Sequence, residues 1–155
     1  MARTTVKIEG LRELNDALEQ LPKSTQRSVL RRVGLKALQP VADAARAMAP
    51  DDPATGGNDL RSSIGVGTKL SPRQAKLARR MIKKGLAEKH FVEVYAGAGP
   101  VAHAHLQEFG TSHHGPQPFM RPAWDGNKGK VLETVRNDLW GEIQKAAQRL
   151  AKKAA

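Results

Sequence analysis

Apolar and polar positions along the chain follow two periods. Leu11, Leu14, Leu18 and Leu21 recur three or four residues apart with Ala17 beside them, the spacing of a short amphipathic helix, and Pro22 stops it. A longer helical run places Val29, Val33, Ala37, Val41, Ala44 and Met48 on one stripe, with Ser24 or Thr25 positioned to cap its start. Pro40 inside this run predicts a kink, because it lacks a backbone donor and crowds the preceding turn. The last helical pattern starts at Pro122 or Gly129 and continues through Val131, Leu132, Val135, Leu139, Ile143, Ala147 and Leu150. Alternation of period two predicts strands at residues 4–9 (Val6, Ile8), 60–67 (Ile64, Val66) and 91–96 (Val92, Val94, Ala96).

The segments between these elements carry their own signals. Residues 49–59 hold Pro50, Asp51, Asp52, Pro53, Gly56 and Gly57, which predict a long mobile loop with Asp51 or Asp52 forming its turn. Ser71-Pro72 starts a helix as cap and first residue. From there to Lys89, seven basic side chains (Arg73, Lys76, Arg79, Arg80, Lys83, Lys84, Lys89) stand against one acid, Glu88, and only Leu77, Met81 and Ile82 form an apolar stripe. Residues 71–89 therefore read as a basic helical or flexible insertion. Residues 101–109 predict a short helix or turn that leads into a connector at 106–123. Within it, Pro116, Pro118 and Pro122 fix φ, Gly110 and Gly115 permit left-handed turns, and Phe109, Phe119 and Met120 are apolar anchors expected to pin its two ends to the core.

Composition narrows the class. With 155 residues the chain is expected to form a single domain. It has no Cys, hence no disulfide, thiolate metal site or Cys nucleophile, and no apolar run of membrane-span length, so it is expected to be soluble and made in the cytoplasm. The net charge of +11, from 26 Lys+Arg against 15 Asp+Glu, favours a polyanion or an acidic protein surface as partner. Aromatic residues make up only 4%, which argues against stacking on single-stranded nucleic acid. Arg27, Arg31, Arg32 and Lys36 read as a solvated helix face, and residues 71–89 as the first place to look for salt-sensitive phosphate contacts.

Catalytic chemistry finds little footing. His103, His105, His113 and His114 near Glu108 suggest a metal site, but no His pair has the i, i+4 spacing of a helical zinc motif. Ser62, Ser63, Thr111 and Ser112 lack a nucleophile elbow or a Ser-x-x-Lys arrangement. Gly97-Ala98-Gly99-Pro100 is expected to terminate the strand at 91–96, and its glycines lack the rest of a phosphate-binding fingerprint. No cofactor or metal is expected, and the chain does not read as an enzyme.

Four blocks of sequence, in order, carry a resemblance. They are Val6-Lys7-Ile8-Glu9-Gly10-Leu11; Ala49-Pro50 through Thr55-Gly56 to Leu60-Arg61-Ser62-Ser63-Ile64; Glu108-Phe109-Gly110-Thr111; and Gln117-Pro118-Phe119-Met120-Arg121-Pro122-Ala123. In these the chain resembles the tail-completion or neck proteins that join head and tail in long-tailed bacteriophages. The resemblance implies an α+β subunit, with a small, mainly antiparallel sheet of about three or four strands against two long helices and extended loops. It also implies a ring, often hexameric, at the neck, beside connector, tail terminator or tail tube proteins and around a DNA channel. Expected assembly contacts are Phe109, Gly110, Thr111, Gln117, Pro118, Phe119, Arg121, Pro122, Asp51 and Asp52. Expected contacts with DNA or an acidic partner are Arg73, Lys76, Arg79, Arg80, Lys83 and Lys84. The rival readings are a free basic nucleic-acid-binding protein and, from the His cluster, a metal-dependent enzyme.

Overall fold

A computed structural model of the chain describes residues 11–50, 60–70, 72–85, 92–99, 101 and 103–154. The predicted strand at 4–9 and the Asp51 and Asp52 turn lie outside the described residues. Helix α1 spans Leu11–Glu19 and α2 spans Lys23–Met48, and α2 stays continuous through Pro40. The start of α2 is not capped by Ser24 or Thr25; Pro22 precedes it with no side-chain cap, and Gln26 instead donates its side-chain amide to Leu21 O at 2.7 Å. The helix thus begins two residues earlier than a Ser24 cap would place it, and Gln26 satisfies a carbonyl left open where α1 ends.

Beyond α2 the chain forms α3 (Leu60–Ser63), β1 (Ile64–Gly67), α4 (Pro72–Lys83), β2 (Tyr95–Ala98), α5 (Ala104–Phe109) and α6 (Met120–Ala154). Two of the expected strands shift. Residues 60–63 are one helical turn, because buried Leu60 and Ile64 are four apart on one side of that turn and Ser63 Oγ donates to Leu60 O at 2.7 Å. The strand expected at 91–96 lies at Tyr95–Ala98, so Gly97 pairs within it and does not terminate it. β1 and β2 pair antiparallel with Ile64 opposite Ala98 and Val66 opposite Ala96, giving a two-stranded sheet among the described residues where three or four strands were expected.

α2 and α6 run antiparallel: Arg32 is paired with Glu142, and Lys36 Nζ lies 2.8 Å from Asp138 Oδ2. Two apolar cores are strung along this pair. One joins α1 (Leu14, Leu18, Leu21) to Val29 and Val33 of α2 and to Leu139, Ile143 and Ala146 of α6. The other lies at the sheet end, where Val41, Ala42 and Ala45 of α2 meet Leu60, Ile64, Phe119 and Ala123. The buried stripe of α2 drifts from the predicted one at its end: Ala45 and Ala49 are buried while Met48 is exposed. On α6, Ala146 is buried in place of the expected Ala147.

Gly34 of α2 is packed close against Val94, the residue just before β2. A Cβ at this position would lie 2.8 Å from Val94 Cγ2. Alanine would add about 1 kcal/mol of helix propensity but overpack a contact worth about 1–3 kcal/mol. Gly34→Ala is therefore expected to lower stability in the native chain and to raise it by about 1 kcal/mol when Val94→Ala has removed the clash. Denaturant unfolding of the four-variant cycle checks this; the same sign in both backgrounds would contradict it.

Candidate functional site

The connector between α5 and α6 is built around one buried acid. Glu108, the only polar residue buried among those described, is 7% exposed and sits in the last turn of α5. Its Oε2 accepts the backbone N–H of Phe119 at 2.8 Å and of Met120 at 2.9 Å, and its Oε1 accepts that of Arg121 at 3.1 Å. These are the leading donors of α6, which no intrahelical carbonyl can reach. The next residue, Pro122, has no N–H, and Ala123 donates to Phe119 O at 3.3 Å. Every backbone donor at the start of this 35-residue helix is accounted for, and the carboxylate faces the positive end of the helix dipole. The helix consequently begins at Met120, upstream of Pro122 and Gly129 where the sequence pattern placed it.

Electrostatics at Glu108 follow from this geometry. Burial alone would push its carboxyl pKa up, but the three N–H donors and the Arg121 guanidinium, with Nε 3.7 Å from Oε1, outweigh burial and hold it below the ordinary carboxylate value. Glu108 is thus committed as an anion to the backbone. Among the described residues no three His, Asp or Glu side chains are placed to share a metal ion.

The intervening loop folds back on itself. Gly110 ends α5 with φ at +78°, and a Cβ there would lie 2.8 Å from Pro116 N and 2.9 Å from His114 O, so the position is closed to larger residues. Thr111 N–H donates to His114 O at 2.8 Å, His113 N–H to Thr111 Oγ1 at 3.2 Å, and Gln117 N–H to Gln107 O at 2.7 Å. His113 and His114 are thereby turn residues with exposed side chains.

Placement of the expected contact residues divides them. Thr111, Gln117, Pro118, Arg121 and Pro122 are exposed. Phe119 is 1% exposed and belongs to the sheet-end core, so it shapes the surface without forming part of it. Phe109, expected to be an anchor, is 62% exposed, and Arg121 lies over its ring at 4.4 Å from the centroid. The apolar residue faces outward because α5 is too short to bury more than one side, and Glu108 takes the inner one. Leu106 and Trp124 add further exposed apolar surface. On α4, Lys76, Arg79, Arg80 and Lys83 are exposed, as is Lys84 just after it, and Arg73 lies in the first turn. Of these features Glu108 was the one that sequence reasoning missed as a site residue; its sequence signal is an acid at the end of a short helix with a proline fourteen residues on, in the third position of the next helix.

Comparison with protein families decides the class. A model of the HK97-gp10-like family, described as "Bacteriophage HK97-gp10, putative tail-component", matches residues 12–110, more than half of the chain. The chain belongs to this family. As an HK97-gp10-like protein it is a bacteriophage tail component, which places it in the virion tail among other tail proteins. The matched span covers α1 to Gly110, including Glu108, whereas the α6 donors that Glu108 holds lie past its end. Neither the curated proteins nor the solved structures searched contain a match. No helix among the described residues is long and apolar enough to cross a membrane.

Proposed function

We propose that this tail component is a structural, non-enzymatic subunit of a ring, hexameric in number, that completes the tail end and joins it to the filled head around the DNA channel. The observation that carries the reading is the connector. An exposed aromatic-cation pair, Phe109 and Arg121, stands on a turn fixed at both ends by Glu108, so a large amphipathic contact is presented with little conformational entropy left to lose. Aromatic and Arg side chains are enriched where protein interfaces concentrate their energy. Phe109, Gly110, Thr111, Gln117, Pro118, Arg121 and Pro122, with Asp51 and Asp52, are the proposed contacts to neighbouring ring, connector, terminator or tube subunits, and Phe119 holds the connector residues in place. The cations of α4 contact genomic DNA in the channel without sequence preference, or an acidic neighbour.

Removal of the gene is expected to leave filled heads and complete tails unjoined, with infectious particles reduced by orders of magnitude; joined particles at normal yield would end the proposal. Electron microscopy of the purified protein, or of particles labelled at its C-terminus, checks the ring and its position directly.

A further inference from the structure

Two oppositely charged helix faces stand without counterparts among the described residues. On α4, Lys76, Arg79, Arg80 and Lys83 follow one another at i, i+3, i+4 and i+7, so they share one face; all four are exposed, and no acid lies on the helix. On α1, Glu13, Asp16 and Glu19 are exposed on the side away from the buried Leu14 and Leu18, and Arg12 is the single cation of that helix. We propose that α4 of one copy of this chain lies along α1 of the next copy, cations against acids. This contact rests on the ring reading, and takes an acidic neighbour over DNA as the partner of α4.

The pairing of the other charges singles out these two faces. Elsewhere most described acids are engaged: Glu142, Asp138, Asp43 and Asp125 each pair with a cation, and Glu108 caps α6. Glu13 and Asp16 pair with no cation among the described residues, and the Glu19 carboxylate accepts the Asn15 side-chain amide at 2.8 Å. The four α4 cations likewise meet no acid among the described residues, so α4 is not neutralised by α1 of its own chain. A phosphate partner would satisfy the α4 face alone. A second copy satisfies both.

The faces also match in length and in symmetry. Glu13 to Glu19 rises about 9 Å along α1, and Lys76 to Lys83 about 10 Å along α4. Because the two faces lie on different helices, the contact is heterologous: each copy gives its α4 to one neighbour and its α1 to the other, the arrangement that generates rings. Exposed ion pairs are individually weak, so their effect here is on orientation and register. Like charges brought together cost more, which makes charge reversal the sharper probe.

Two full-length variants carry the test: Arg79→Glu with Lys83→Glu, and Glu13→Lys with Asp16→Lys. Light scattering coupled to gel filtration reads their mass beside the native chain over a range of micromolar concentrations. Each variant alone is expected to assemble at least about tenfold more weakly than the native chain. An equimolar mixture of the two is expected to regain the native mass, because the acidic α4 of one chain meets the basic α1 of the other while the unaltered faces also remain complementary. Recovery in the mixture shows as well that both variants are folded. A native chain that stays monomeric would remove the ring and this contact together. A native assembly that neither reversal weakens would keep the ring and overturn the contact alone, as would loss in the variants with no recovery in the mixture. Loss confined to the α4 reversal, together with weaker retention of duplex DNA, would overturn it in favour of DNA.

Discussion

Replacing Glu108 with Ala is expected to cost about 3 kcal/mol or more, well above the ~1 kcal/mol of an ordinary helix cap, because three buried or half-buried N–H groups lose a charged acceptor at once. Glu108→Gln keeps one carbonyl oxygen and the shape of the side chain, and is expected to cost about half as much. The pair also differs in pH dependence. The folded-state pKa of Glu108 is lowered from the ordinary 4.5, so its contribution is complete above that value and is lost as pH falls through the folded pKa. Native protein should therefore lose stability on acidification below about pH 4.5 more steeply than Glu108→Gln. Urea unfolding of the three chains between pH 3 and 7 measures both effects; parallel pH profiles would show that the carboxylate charge contributes nothing.

The second large effect separates the inner and outer faces of the connector. Phe119 is 1% exposed in the sheet-end core, and Phe119→Ala is expected to destabilise the protein by about 3–5 kcal/mol through lost burial and the cavity left behind. Arg121 has a side chain 62% exposed, and its pairing with Glu108 is at 3.7 Å. Arg121→Ala is expected to cost no more than about 1 kcal/mol and to spare the fold while lowering the yield of joined particles. Thermal melts and a head-tail joining assay separate the two; equal thermal losses would contradict this division of labour.

The long helices were legible because their apolar residues repeat at 3.6 over many turns, as Val29, Val33, Ala37 and Val41 do. Short elements were legible only in part. Leu60 and Ile64 fit a strand and a helical turn equally well, and the half-buried hydrogen bond from Ser63 Oγ to Leu60 O goes with the helical turn. A glycine at 97 read as a stop, yet backbone pairing in a strand requires no side chain. Phe109 read as core because it is apolar, and its exposure becomes intelligible only with Arg121 stacked on it. The Glu108 cap was not legible from any local capping pattern, because Glu108 and the donors it serves are 11 to 13 residues apart.

Those sequence separations also order events in time. Closing Glu108 onto Phe119 joins residues 11 apart, whereas Arg32 meets Glu142 only across a separation of 110. Chain-closure entropy favours the shorter contact, so during folding the connector and the first turn of α6 are poised to form before the two long helices find one another. The surface offered to other subunits would then be set early, by local contacts, and the longer-range core would lock it afterwards.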